Sequence, residues 1–155
     1  MLATPNRFTL VTGFGEGKTK LNAFDAALLA SGLGNLNLIK VSSILPPGAK
    51  YQRKLEIPFG SLVPTAYGSI SSIEPGELIA AAVAVGIPVA DTFGVIMETS
   101  DFCSKSEIEE RITEMVIEAF TLRNIEYQEI KVCAVEHQVT HCGAVFASLA
   151  LWYDL

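Results

Sequence analysis

Two adjacent serines, Ser42 and Ser43, stand where an apolar alternating run meets a breaker. Leu36 to Val41 predicts a strand, and Pro46-Pro47-Gly48 predicts a turn, so the pair lies at a strand-to-turn corner. A serine hydroxyl held against the preceding carbonyl can attack it and convert the amide into an ester. This N-to-O shift needs a strained backbone and a hydrogen-bond donor for the oxyanion. The amide of Asn37 is a candidate donor, and a plain polar turn is the alternative reading.

Two acidic residues are further candidates for chemistry. Asp25 falls in a predicted helix from Asn22 to Ser31, with Asn22 as N-cap and Gly32 ending it; its simplest role is that of a first-turn acid. Glu98 falls in a predicted strand, Thr92 to Thr99. Burial beside apolar neighbours would raise its pKa toward that of a proton donor, whereas an exposed strand-end glutamate would do no chemistry.

The glycine-rich segment from Gly13 to Thr19 has some features of a phosphate-binding loop. Such a loop needs a glycine five positions before Gly17, and Thr12 stands there. We therefore predict a flexible glycine loop between a strand and a helix. Nucleotide binding through Lys18 is the alternative.

His137 and His141 invite a metal-site interpretation. They are four residues apart in a segment with strand character, so their side chains would not converge on one face as they do on a helix. A polar hairpin turn is the preferred interpretation, and no metal site is predicted.

The remaining elements frame these residues. A capping box from Ser104 to Glu107 opens the most strongly predicted helix, which ends at Arg123. Two helices and about seven strands indicate an α+β fold with helices outside packed sheets. Other strands are predicted at Arg7 to Thr12, Ser61 to Ile73, Glu126 to Glu136 and Cys142 to Trp152, the last two joined by a short Gln138 to His141 turn. Gly76 to Pro88 is rich enough in alanine for a helix, but it is bounded by Gly and Pro; we predict a buried strand, with a helix as the alternative.

Composition bounds the class of protein. The 155 residues fit a single domain, and 50% hydrophobic content with a mean hydropathy of +0.38 predicts burial between subunits as well as within one. A net charge of −6 argues against nucleic acid or an anionic membrane as partner. The three cysteines include no Cys-x-x-Cys pair, and the sequence has neither a secretory signal nor an apolar run long enough to span a bilayer. We therefore predict a reduced, cytoplasmic protein.

Two stretches, GNLNLIKVSSILPP from Gly34 and GSLVPTAYG from Gly60, resemble the pyruvoyl-dependent arginine decarboxylases. The resemblance implies a four-layer αββα sandwich of two mainly antiparallel sheets flanked by helices. It also implies self-cleavage into residues 1–42 and 43–155, with Ser43 becoming a covalent pyruvoyl cofactor and no need for pyridoxal phosphate or a metal. The implied assembly is a homotrimer, or a multiple of it, with active sites between neighbours.

The same resemblance implies roles for individual residues. The pyruvoyl ketone would condense with the α-amine of arginine, Glu98 would protonate the carbon that carbon dioxide leaves, and Asp25 would pair with the guanidinium. The products would be agmatine and carbon dioxide. Decarboxylation of another cationic amino acid, or an uncleaved ligand-binding or structural trimer, are the alternatives. The remaining residues expected to bind substrate are Leu28, Gly34, Leu36 and Ile44.

Overall fold

A computed structural model describes residues 2–154, and within them the chain forms nine strands and two helices. In chain order these are β1 (Arg7–Glu16), α1 (Lys20–Ser31), β2 (Asn37–Lys40), β3 (Ile44–Leu45), β4 (Lys50–Tyr51), β5 (Leu62–Ser72), β6 (Leu78–Pro88), β7 (Gly94–Asp101), α2 (Lys105–Arg123), β8 (Tyr127–Gln138) and β9 (Gly143–Trp152).

The strands form two sheets. One has five strands in the order β2-β5-β9-β1-β4, and the other has four in the order β3-β7-β6-β8. Pairing is antiparallel except where β2 meets β5 and where β1 meets β4. Both β2 and β3, which flank the serine pair, are edge strands.

Side chains of the central strands alternate between the two faces of each sheet, and this alternation gives the order of the layers. In β9, Val145, Ala147 and Leu149 belong to the core between the sheets, whereas Ala144 and Phe146 belong to the core beneath α1. The strand β6 alternates in the same way between the inter-sheet core and the core beneath α2. Because each sheet buries both faces, the order of layers is α1, five-stranded sheet, four-stranded sheet, α2. The predicted αββα sandwich is confirmed.

The helix α2 has the bounds that its capping box predicts. The Ser104 side chain accepts a hydrogen bond from the backbone N–H of Glu107, and Asn124 ends the helix in the left-handed conformation. One stripe of the helix is buried against the four-stranded sheet, as the 3.6-residue period requires. Its members are Ile108, Ile112, Val116, Ala119 and Phe120.

The predicted glycine loop is wrong, because β1 continues through it to Glu16. A Cβ atom on Gly13 would lie 2.1 Å from the carbonyl oxygen of Ala27, so the missing side chain lets α1 pack directly on the strand. The predicted N-cap is also wrong by one turn. Thr19, not Asn22, caps α1, and its side chain accepts from the backbone N–H of Asn22. Gly32 ends the helix as predicted.

The predicted hairpin between the last two strands is wrong as well. β8 lies in the four-stranded sheet and β9 in the five-stranded one, so the turn crosses between layers. The Glu16 carboxylate holds this crossover. It accepts from the backbone N–H groups of Thr140 and His141, and its Oε2 lies 2.8 Å from Nε2 of His137.

In the part of the chain from residue 2 to residue 154, no helix is both long enough and apolar enough to cross a membrane.

Candidate active site

The serine pair joins the edges of the two sheets. β2 ends at Lys40 in the five-stranded sheet and β3 begins at Ile44 in the four-stranded one. The backbone N–H of Val41 donates to Thr65 of the first sheet, while the carbonyl of Ser43 accepts from Ile96 of the second. The link is therefore anchored to a different layer at each end. The predicted corner is a crossing point between the layers.

Ser43 has a φ of 78°, in the left-handed region that side chains other than glycine rarely adopt. Such a conformation costs on the order of 1–3 kcal/mol and persists only where the surroundings impose it. Here the two anchored ends impose it. The strain that the N-to-O shift needs is thus present at the second residue of the pair, which is buried, whereas Ser42 is exposed.

The side chain of Ser43 meets Glu98. Its Oγ lies 2.8 Å from Oε2 and 3.0 Å from Oε1 of that carboxylate. Burial raises the pKa of Glu98 above its ordinary value, and the hydrogen bond from Ser43 and the charge of Lys40 oppose that rise. A half-buried carboxyl group with a raised pKa can accept a proton and return it at moderate pH.

Close contact between the sheets positions Glu98. A Cβ atom on Gly68 of β5 would lie 2.7 Å from the carbonyl oxygen of Thr99 in β7, so the two backbones touch there. The hydroxyl of Ser100 donates to the carbonyl of Ser69 across the same gap. Glu98 immediately precedes this contact and shares the inward face of β7 with Ile96.

Ser43 and Glu98 line one cleft of about 160 Å³ together with Ser42 and Arg123. Its apolar wall is formed by Val95, Ile96 and Met97. Ile44 follows Ser43 directly and pairs with Val95. Arg123, the last residue of α2, was missed in the sequence interpretation, where it reads only as a basic residue ending a helix.

Lys40 is the second residue that sequence interpretation missed. Its Nζ lies 4.9 Å from the centroid of the Tyr67 ring. Its positive charge also acts on Glu98, where it lowers the pKa of the carboxyl group against the effect of burial. The sequence signal was its position two residues before Ser42, at the end of an alternating strand.

The other predicted site residues lie elsewhere in the protomer. Asp25 is exposed on α1, which covers the outer face of the five-stranded sheet. Leu28 and Leu36 pack against the core beneath that helix, and Gly34 lies in the loop that follows it. Asn37 begins β2, and its Nδ2 donates to the carbonyl of Gly60 at 2.9 Å. The cleft at Ser43, as residues 2–154 define it, has none of these five in its lining.

Within residues 2–154, no group of three or more His, Cys, Asp or Glu side chains is placed to hold a metal ion. His137 and His141 are instead used in the crossover around Glu16.

A solved structure has a similar architecture. The chain is similar to the structure of pyruvoyl-dependent histidine decarboxylase, with a TM-score of 0.52 and 13% identity over 67% of this chain and 55% of that one. The sandwich is thus a fold that a pyruvoyl-dependent decarboxylase also has.

Sequence comparison then gives the family. The family described as pyruvoyl-dependent arginine decarboxylase matches residues 7–153. The chain is 50% identical to the pyruvoyl-dependent arginine decarboxylase of Methanocaldococcus jannaschii, over 96% of this chain and 91% of that protein. Identity to the protein of the same description is 49% in Methanococcus vannielii, over 96% and 92%, and 46% in Thermococcus kodakarensis, over 86% and 85%. The chain belongs to the pyruvoyl-dependent arginine decarboxylase family, a family of carboxy-lyases.

We call residues 41–43, between β2 and β3, the serine link. Its residues fit the prosthetic group that this family requires, a pyruvoyl group in place of pyridoxal phosphate. Ser43 has a strained backbone, a hydroxyl that contacts a carboxylate and a position inside a cleft. Ser42 and Ser43, the two residues joined by the peptide bond in question, both line that cleft.

Proposed function

We propose that this chain cleaves itself between Ser42 and Ser43 and then decarboxylates L-arginine to agmatine and carbon dioxide. The observation that carries the proposal is the contact between the strained Ser43 and the carboxylate of Glu98. Membership of the family supports arginine as the substrate.

The contact supports a specific course for the cleavage. Oγ of Ser43 attacks the carbonyl carbon of Ser42, and its proton passes to Glu98. Glu98 returns the proton to the departing nitrogen as the C–N bond breaks, which leaves an ester and a free amine on Ser43. Loss of the Ser43 Cα proton then expels the Ser42 carboxylate from Cβ. A proton added at Cβ converts the resulting enamine into an imine. Water then replaces the nitrogen, which leaves as ammonia, and residue 43 becomes a ketone without any net oxidation.

A pyruvoyl group at residue 43 supplies a ketone that condenses with the substrate amine and withdraws electrons as the carboxyl group departs. Glu98, whose pKa is raised by burial, then delivers a proton to the substrate Cα. Val95, Ile96 and Met97 exclude water from the carbon that is protonated. Asp25 is the proposed partner of the guanidinium, because a carboxylate binds that planar group through two hydrogen bonds.

The placement of Asp25 favours a site shared between copies of the chain. Asp25, Leu28, Gly34, Leu36 and Asn37 form one half-site beside α1, and Ser42, Ser43, Ile44 and Glu98 form the other at the serine link. We assign the two halves of one working site to neighbouring copies in a homotrimer or a multiple of it. Exposed apolar residues support such an assembly, among them Ile39, Ile44, Phe59 and Leu62, of which Phe59 is 86% exposed.

Intact mass under denaturing conditions tests the cleavage. We expect two fragments that end at Ser42 and begin at residue 43, the larger bearing a ketone in place of an amine. Ser43→Ala should give one unsplit chain. A single mass for the unaltered protein would remove the basis for the pyruvoyl group.

Carbon dioxide release from arginine by the cleaved protein tests the activity. Lysine, ornithine and histidine, offered separately, test the choice of substrate. Release from one of these and not from arginine would move the assignment to another amino acid decarboxylase.

Complementation tests the shared site. Asp25→Asn and Glu98→Gln should each be inactive alone, and co-expression of the two should restore part of the activity, because some mixed sites would contain both intact halves. No recovery in co-purified mixed oligomers would contradict the shared site.

A further inference from the structure

Arg123 is an exposed cation in the lining of the cleft, and it has no role in the reaction proposed above. It lines the cleft together with Ser42, Ser43 and Glu98. Its Nη1 donates to the carbonyl of Ala119 one turn earlier, which fixes the base of the guanidinium at the end of α2. The other N–H groups of the guanidinium have no hydrogen-bond acceptor among the described residues.

The charges around the cleft are otherwise committed. In the uncleaved chain, Glu98 uses both carboxylate oxygens on Ser43, and Lys40 lies over the Tyr67 ring. Within residues 2–154, no Asp or Glu oxygen lies within 4.0 Å of the Arg123 guanidinium, whereas Arg111 of the same helix is paired with Asp101. Arg123 is therefore available for an anionic ligand.

An amino acid substrate would bring such an anion into a cleft that is already acidic. Glu98 is one carboxyl group, and the proposed cleavage adds a second at the new end of Ser42. The carboxylate of Ser42, and that of Glu98 whenever it is ionised, would repel a substrate carboxylate unless a cation faced it. A guanidinium matches a carboxylate with two parallel hydrogen bonds, and a lysine in its place would not.

Resting on the proposed function, we propose that Arg123 binds the α-carboxylate of the amino acid substrate. In this role it orients the bond to be broken toward the group at residue 43, while Asp25 binds the far end of the substrate. Arg123 therefore distinguishes substrate from product, because the product amine no longer has the carboxylate.

Two ligands that do not turn over separate this role from a structural one. Guanidinovalerate keeps the guanidinium and carboxylate of arginine but lacks the α-amine, and agmatine keeps the guanidinium and amine but lacks the carboxylate. Calorimetric titration of cleaved protein should show that Arg123→Gln weakens guanidinovalerate binding by roughly 10- to 100-fold, the usual range for loss of a charged hydrogen-bond pair. Agmatine binding should stay unchanged. The KM for arginine should rise in parallel with the dissociation constant of guanidinovalerate.

Arg123→Lys keeps the positive charge at the end of α2 and serves as the second variant. It should recover only part of the guanidinovalerate affinity, because it cannot form the paired hydrogen bonds. Arg111→Gln removes a positive charge from the same helix and should leave both affinities unchanged.

The proposal would be overturned if Arg123→Gln weakened the binding of both ligands equally, or the binding of neither. Variants that fold but remain unsplit by mass would also overturn it, since they would assign Arg123 to the cleavage. If the unaltered protein releases no carbon dioxide from arginine, the proposed function fails; if it does and the variants bind guanidinovalerate normally, only the role of Arg123 fails.

Discussion

Oγ of Ser43 and Oε2 of Glu98 are 2.8 Å apart, across a gap between a linker and a strand 55 residues further along the chain. The hydroxyl proposed to open the peptide bond thus already contacts the carboxylate proposed to protonate the substrate. One acid serves both reactions in this scheme, first by accepting a proton and later by donating one.

Glu98→Gln should abolish most of the decarboxylation, because the amide cannot donate a proton to carbon. We expect kcat of the cleaved fraction to fall by about a hundredfold or more, the usual contribution of general acid–base catalysis. Cleavage should also be slower, measured by the rate at which fragments appear. Glu114→Gln, an exposed glutamate of α2, is the control. Undiminished kcat in Glu98→Gln would exclude Glu98 as the donor.

Lys40→Met should shift the pH dependence of kcat. The raised pKa of Glu98 keeps its acid form to higher pH than an ordinary carboxyl group, so activity falls as pH rises through that pKa. The charge of Lys40 lowers this pKa, and its removal should move the alkaline limb to higher pH. Lys131→Met, which removes a charge from β8, should leave the limb in place. A shift to lower pH would contradict this electrostatic role.

Gly68→Ala should reduce activity through the position of Glu98. The added methyl group would lie 2.7 Å from the carbonyl oxygen of Thr99, so β7 must move away from β5. We expect a loss of roughly 1–3 kcal/mol in unfolding free energy, typical of overpacking, and a lower kcat. Val145→Ile overpacks the same inter-sheet core from β9 and serves as the control for stability. Equal kcat in the two variants would show that the close approach does not tune the site.

Glu16→Gln should weaken the crossover between β8 and β9. Burial raises the pKa of Glu16, but hydrogen bonds from His141, His137 and Thr140 outweigh it and leave the pKa lowered. A lowered carboxyl pKa stabilises the fold above the unfolded-state pKa, and the benefit is lost as pH falls through the folded-state pKa. We therefore expect a loss of about 1–2 kcal/mol near neutral pH, from one charge-assisted hydrogen bond.

Urea unfolding at several pH values measures this effect. The difference between Glu16→Gln and the unaltered protein should shrink as the solution is acidified. A difference that is constant with pH would assign the loss to packing instead of charge.

Local patterns were enough to predict part of the fold. The capping box at Ser104 and the apolar stripe that follows it place α2, because caps and helical periodicity lie within one turn of the chain. The breaker after Ser43 places the corner for the same reason. By contrast, Gly13 was read as a loop residue because its role depends on Ala27, which only the packed helix brings near.

Long-range pairing could not be read from local signals. β8 and β9 are separated by a short turn and alternate well enough to suggest a hairpin, yet they belong to different sheets. Only the family resemblance implied that Glu98 and Ser43 act in one site, and the hydrogen bond between them was not predicted, since nothing near either residue indicates the other. Arg123 was missed because its relation to the cleft arises when the end of α2 passes the serine link.

The position of the serine link between two edge strands means that the chain can be opened there without breaking a strand. The backbone N–H of Asn6 donates to the carbonyl of Trp152 at 3.0 Å, and that of Asp154 donates to the Asn6 side chain at 2.7 Å. The proposed break opens the chain between two edge strands, while β1 of the first fragment stays paired between β9 and β4 of the second. A chain in which a short peptide joins Asp154 to Asn6, and which is opened before Ser43, would be a circular permutant with its break at the proposed cleavage site. A chain joined there and begun at residue 43 should fold into the same sandwich, with a serine amine in place of the ketone.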